Sequence, residues 1–174
     1  MMKNFDPHNY GNRKYRVLMV CLGNICRSPS AQHVMEHLVS QRGLSDLIEV
    51  DSAGTYGGHA GDLPDPRMRK AASRRGYQLT HRARRVTGSD FADFDLIVGM
   101  DSGNVSDLRM MAASPEEVAK IDMMGRYIRC FPHYDYVPDP YYEGAEGFEL
   151  VLDLLEDACS NLLDKIEGEL VVSD

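Results

Sequence analysis

The sequence predicts an α/β protein: an open, mostly parallel twisted sheet with helices on both faces, folded as a single domain. Three observations carry this. Short apolar runs at Tyr15–Val20, Leu47–Ser52 and Leu96–Met100 are continuous rather than alternating, as in strands buried on both faces. Helix-periodic segments alternate with them, which favours parallel strands joined by crossovers. The length of 174 residues suits one core.

Taken in order, residues 1–14 are polar and irregular, with Pro7 and Gly11, and read as an N-terminal extension to a domain spanning 15–174. The first strand follows. Ser28-Pro29 then reads as a helix start, since a hydroxyl can cap an orphan amide and proline suits the first helical turn. The helix reaches about Gln41, with Gly43 just beyond it, and Ala31, Val34, Met35, Leu38 and Val39 form its apolar face. The second strand leads into a Gly- and Pro-rich loop over 54–66 and a helix over 66–75, capped by Asp65. After the third strand come a helix over 103–113 and a further short strand over 127–131. Last, Phe148, Val151, Leu152, Leu155, Cys159, Leu162, Leu163 and Ile166 recur at spacings of three and four, one buried stripe on a long helix.

Charge and composition exclude several classes. Lys and Arg number 19 against 27 Asp and Glu, a formal charge of −8. Such a chain is repelled by nucleic acid, and it contains no nucleic-acid module. No apolar run approaches the roughly 18–20 residues of a membrane helix, and none resembles an export signal. Four cysteines are too few for a disulfide framework, so the expected setting is a reducing cytoplasm. The charge is uneven: eight basic and no acidic residues lie between Arg67 and Arg85, and ten acidic residues lie from Glu143 onward. The basic band reads either as solvated helix faces or as an attraction for an anionic partner; the acidic tail reads as a solvated face only.

Chemistry is expected where the first strand hands over to the first helix, because open parallel sheets bind ligands at the carboxyl ends of their strands. The segment there is Cys21-Leu22-Gly23-Asn24-Ile25-Cys26-Arg27-Ser28-Pro29. A loop feeding a helix N-terminus offers backbone N–H groups and the positive end of the dipole to an anion. Gly23 gives backbone freedom, and Arg27 can grip two phosphate oxygens in a fork. Cys21 lies in the same field, which favours thiolate and so a nucleophile. Ser28 is in reach to hydrogen-bond that sulfur. No Gly-Lys-Ser/Thr ending follows, so the loop is not a nucleotide P-loop.

This segment resembles the signature of the low-molecular-weight protein tyrosine phosphatases. Further blocks match the family in order: Asp51-Ser52-Ala53-Gly54-Thr55, Pro64-Asp65-Pro66-Arg67, Thr80-His81-Arg82-Ala83-Arg84, Met100-Asp101 with Asn104, and Asp139-Pro140-Tyr141. The resemblance implies the family's Rossmann-like, flavodoxin-like phosphatase fold. It also implies a phosphotyrosine phosphatase acting through a phosphocysteine on Cys21, with Arg27 binding phosphate and Asp139 as general acid and base. Pro138 and Pro140 restrict the backbone around Asp139, which independently singles it out among the acids. Leu22, Gly23, Asn24, Ile25, Cys26 and Ser28 would surround the phosphate. Asn24 and His81 would hold the loop and tune the thiolate through Ser28, and Asp101 would support Arg27. Tyr141 and Tyr142 would form one wall of the entrance. The family often has an aromatic residue three positions after Thr55; Gly58 stands there instead, so either Tyr56 substitutes or that wall is missing. Gln32 replaces a commonly acidic residue, with little consequence expected. No cofactor or metal is called for, and the expected partners are phosphotyrosine proteins or peptides, with a tyrosine kinase as a possible counterpart, for a monomer.

Other readings stay open at this level. Cys26 is either a partner for a disulfide with Cys21 under peroxide or an inert buried thiol; Cys130 and Cys159 look structural. His33-Val34-Met35-Glu36-His37 fits a zinc-peptidase helix pattern, but His33, Glu36, His37 and Ser40 lie opposite the apolar face, as a plain solvated face would. Thiol-dependent arsenate reductases share this fold and loop, yet no cysteine occurs between Cys26 and Cys130. Phosphoarginine phosphatases of the family resemble this chain but carry Thr where Ile25 stands, and the apolar Ile25 favours an aryl ester.

Overall fold

The computed structural model describes residues 13–171; the proposed extension lies almost entirely outside them. Four parallel strands form one sheet in the order β2-β1-β3-β4, with β1 at Tyr15–Cys21, β2 at Ile48–Gly54, β3 at Leu96–Gly99 and β4 at Ile121–Met123. Residues Val17 and Met19 of β1 face one core and Leu18 and Val20 the other, so the central strand is buried on both sides. That is the reason its sequence runs apolar without alternation.

The larger core holds α1 (Arg27–Gln41), α2 (Pro66–Ser73) and α6 (Ala145–Val171) against one face. The smaller one holds Phe91 from α3 (Asp90–Asp93) and Leu108 from α4 (Ser102–Met111) against the other. A short α5 (Pro115–Val118) precedes β4. The chain leaves β1 for β2 on one side and later returns to β3 on the other. The carboxyl end of β1 is therefore the topological switch point, where a ligand crevice opens.

Four expectations need correction. The short strand expected over 127–131 is absent: β4 is the earlier Ile121–Met123, followed by a 3-10 turn at Met124–Tyr127. Buried Asp122 decides this, because its carboxylate takes the Tyr127 hydroxyl, Arg126 Nη1 and the Met123 N–H, folding the chain back. The first helix begins at Arg27, and Ser28 caps nothing; its hydroxyl turns instead toward Cys21. Cys130 is exposed rather than structural, while Cys159 is fully buried. The acidic face of α6 is not merely solvated: Glu149, Asp153 and Glu156 converge on Arg75, and Asp164 and Glu167 hold Arg42. The small helices α3 and α5 were not anticipated, although Ser114, whose hydroxyl accepts from the Glu117 N–H, is a regular cap.

Candidate active site

The loop from Cys21 to Arg27 curls over the N-terminus of α1 and lines a pocket of about 230 Å³. Cys21, Leu22, Gly23, Ile25, Cys26 and Arg27 form its base, Tyr56 and His59 one wall, and Asp139, Tyr141 and Tyr142 the other.

One side chain holds this loop. Asn24 has φ of +58°, a left-handed conformation uncommon outside glycine, and it is fully buried. Its Nδ2 donates to Ser28 Oγ at 2.7 Å and Ser52 Oγ at 3.0 Å, while its Oδ1 accepts from the Arg84 N–H and from His81 Nε2, both at 3.0 Å. Four bonds over-determine the strained backbone. They also fix the histidine tautomer, since Oδ1 can only accept and Nε2 must therefore carry the proton. Burial holds the His81 imidazole below the usual histidine range, although Asp51 opposes this from 3.5 Å.

Ser28 Oγ accepts from Asn24 and lies 2.9 Å from Cys21 Sγ, with the Ala53 carbonyl a second acceptor for its proton at 3.4 Å. His81 thus reaches Ser28 only through Asn24, not directly as the resemblance implied. Ser52 passes its hydroxyl proton on to Gln32 Oε1 at 2.6 Å, and Gln32 Nε2 donates to Glu36. Gln32 is buried and closes the chain that orients Asn24, through an acceptor oxygen that an acidic residue would also supply. Gly54 completes the fit, for a Cβ there would lie 2.6 Å from the Leu22 carbonyl oxygen.

Arg27 is buried and points into the base of the pocket. Its Nη1 donates to Asp101 Oδ2 at 2.5 Å and to the Val137 carbonyl at 3.1 Å, and Nη2 lies 3.7 Å from Asp139 Oδ2. Burial opposes its charge, but Cys21, Asp101 and Asp139 together hold it above the ordinary arginine value. Asp101 serves two elements at once, since its other oxygen caps α4 through the Asn104 N–H. Asp139 is partly exposed at the mouth, its Oδ1 taking the Tyr141 N–H in an Asx turn. Of the two hydrogen-bond partners of Arg27 Nη1, Asp101 is legible in the sequence and Val137 is not, because a backbone carbonyl leaves no sequence trace.

At the rim, Gly58 lies under Tyr56. A Cβ on Gly58 would sit 2.2 Å from the Tyr56 ring, so glycine there lets Tyr56 fold over it into the pocket wall. Opposite, Tyr141 and Tyr142 meet edge to face at 5.0 Å. Arg67, tied to Asp65, bonds the Tyr141 carbonyl, while the Asp65 N–H bonds the Ile25 carbonyl. One helix start thus links phosphate loop and rim. Burial pushes the Cys26 thiol far up, so Cys26 stays protonated beside Cys21. His33 is occupied at both ring nitrogens by Glu36 and the Thr80 N–H, and His37 packs edge-on against Tyr77. The two histidines do not converge, and no metal-binding cluster occurs among the described residues.

A parallel α/β sheet whose switch-point loop presents a cysteine, a buried arginine and a helix N-terminus defines a cysteine-dependent phosphate-ester enzyme. Comparison with known proteins is specific. Residues 16–172 match the model of the low molecular weight phosphotyrosine protein phosphatases. A low molecular weight protein-tyrosine-phosphatase of Streptomyces coelicolor is 42% identical, over 88% of this chain and 97% of its own. Among solved structures, the protein tyrosine phosphatase of Entamoeba histolytica with Hepes in the active site is 43% identical with a TM-score of 0.85, covering 88% of this chain and 97% of that one. A Drosophila arginine phosphatase is 34% identical with a TM-score of 0.80, over 87% and 97%. The chain belongs to the low molecular weight phosphotyrosine protein phosphatase family.

Proposed function

We propose that the protein hydrolyses phosphotyrosine and other aryl phosphomonoesters through a phosphocysteine intermediate. The observation that carries this is the Cys21 sulfur at the pocket base, hydrogen-bonded to Ser28, with Arg27 and Asp139 lining the same pocket. Cys21 attacks phosphorus as the bond to the ester oxygen breaks, and Asp139 in its acid form gives that oxygen its proton. Water then attacks the phosphocysteine and passes a proton to the Asp139 carboxylate, and the S–P bond breaks to release phosphate and thiolate. Arg27, the loop amides and the α1 terminus stabilise the phosphoryl oxygens throughout and supply the positive charge the reaction needs. Leu22, Gly23, Ile25 and Cys26 line the cradle, and Tyr56, Tyr141 and Tyr142 add aromatic surface to the same pocket, against which a phenyl ring can pack.

The free cysteines suit a reducing cytoplasm, and a monomer working opposite a kinase is the simplest setting. Among the described residues, no helix is long and apolar enough to cross a membrane. Cys21→Ser should keep phosphate binding and lose turnover of an aryl phosphate; appreciable residual turnover would remove Cys21 from its role. A panel of phosphotyrosine, phosphoserine, phosphoarginine and arsenate with thioredoxin ranks the related chemistries, with phosphotyrosine expected first.

A further inference from the structure

We infer that the Tyr56–Gly61 wall, backed by Arg82 and Arg85, forms a subsite for a carboxylate side chain next to the phosphorylated residue. This rests on the phosphotyrosine reading above and adds a substrate class to it: peptides with Asp or Glu beside the phosphotyrosine.

The segment behind the wall is bonded to the chain at the wall's two ends. The Gly61 N–H bonds the Ala83 carbonyl, the Ala83 N–H the Asp62 carbonyl, the Gly54 N–H the Arg84 carbonyl and the Val86 N–H the Gly54 carbonyl. This places Arg82 and Arg85 against a loop whose front face is the pocket. A Cβ on Gly57 would lie 3.3 Å from Arg85 Cδ, so the Arg85 stem lies flat on the wall one residue from Tyr56. Arg82 gives one N–H to the Gly61 carbonyl and keeps the remaining donors of its fork. Both residues are exposed, and neither has a carboxylate partner among the described residues. Arg84, between them, is different: it is committed to Asp51 and Asp90.

The anions nearby define which side is basic. Asp62, on the wall loop itself, is drawn to His59 Nδ1 at 3.4 Å. Across the mouth, Tyr141 and Tyr142 lead into the exposed Glu143 and Glu146. The mouth is thus polarised, cationic behind Tyr56 and anionic beyond Tyr142. An extended peptide advances about 3.3 Å per residue, so a side chain one or two places from the phosphotyrosine reaches the wall. Charge complementarity there favours an acidic one.

The test compares three substrates: a small aryl phosphate, a phosphotyrosine peptide flanked by Glu, and the same peptide flanked by Gln. With the wild type at low ionic strength, kcat/KM should be about 3- to 10-fold higher for the Glu peptide, the scale of one or two exposed ion pairs. The ratio should fall below one in R82E/R85E, and to about one in the neutral R82Q/R85Q, which also serves should the reversal misfold, and in wild type at high salt. Because the readout is a ratio, a uniform change in turnover cancels. Turnover of the aryl phosphate with no preference for the Glu peptide overturns the subsite alone, as does a preference that survives in both double variants. No turnover of any substrate overturns the phosphatase reading, and the subsite with it.

Discussion

Asn24 is strained and buried, and every polar atom of its side chain is used, which makes it the residue from which the cradle is built. Ser28 is its output. With Asn24 filling one of the hydroxyl's acceptor sites, the Ser28 proton has Cys21 Sγ at 2.9 Å and the Ala53 carbonyl at 3.4 Å as acceptors, and a hydrogen bond to the thiolate of the proposed mechanism would contribute about 1.5–3 kcal/mol. Ser28→Ala should therefore lower kcat about 10- to 100-fold and slow alkylation of Cys21 by iodoacetamide at fixed pH, with little change in fold stability; an unaltered alkylation rate would separate Ser28 from the sulfur. His81 gives a pH signature. Its folded-state pKa lies below the ordinary 6.5. In the window between those two values the unfolded chain binds the additional proton, so stability falls as pH falls through it and is fully present above about 6.5. Thermal melts between pH 5 and 8 should show this slope in wild type and a shallower one in His81→Gln; equal slopes would place the titration elsewhere. The general-acid proposal is checked by leaving groups: Asp139→Asn should slow poorly leaving alkyl phosphates far more than activated aryl phosphates.

The elements show where sequence was sufficient and where it was not. Central strands, α1 and the stripe of α6 were legible because burial repeats along them: Leu152, Leu155, Cys159, Leu162, Leu163 and Ile166 are all buried. That Cys21, Arg27 and Asp139 would be singled out was legible because a cysteine and an arginine framing a strand-to-helix loop, and an acid between two prolines, each leave a residue-type trace, and the three line one pocket. What escaped depended on partners distant in the chain. Ser28 offered both a helix cap and a bond to the Cys21 sulfur, and nothing local chooses between them, since Asn24 and Ser52 must first be folded around it. The strand at Ile121–Met123 escaped because it has only three residues, with a charged one in the middle, whereas Tyr127–Phe131 has stronger strand-forming composition. The acids of α6 looked like a solvated face because Arg42 and Arg75 approach from other elements. That docking yields a prediction at this scale. Leu155→Ala should cost about 2–5 kcal/mol in urea unfolding, by cavity formation in the core. Arg75→Ala, which releases three part-exposed carboxylates, should cost about 1 kcal/mol, a loss that shrinks in high salt. A salt-independent loss equal to that of Leu155→Ala would make Arg75 a packing residue instead.

For the molecule as a whole, the formal charge of −8 turns out to be a poor guide to what it binds. An anion site needs one buried arginine, a ring of amides and a helix end, and those are local. What is global is the way the cradle is tied in. The loop joins β1 to α1, Asn24 bonds Ser52 of β2, Arg27 reaches Asp101 beyond β3, and Val137 and Asp139 approach from the segment before α6. An oxyanion filling the pocket therefore binds a surface that exists only when all of these elements are in place. It should stabilise the entire fold rather than the loop alone. Orthovanadate or inorganic phosphate at about 100 times its Kd should add about 2.7 kcal/mol to unfolding, which raises Tm by roughly 5–10 °C for a chain of this size. At that wild-type ligand concentration the same shift is expected in Asp139→Asn, which leaves the cradle intact, and a much smaller one in Arg27→Lys, where a point charge replaces the fork and raises the Kd. Hydrogen exchange resolves the remaining choice: protection gained across β1, β2 and β3 together fits a cradle that locks the sheet, whereas protection confined to residues 21–27 would show that the loop closes on the anion independently of the rest.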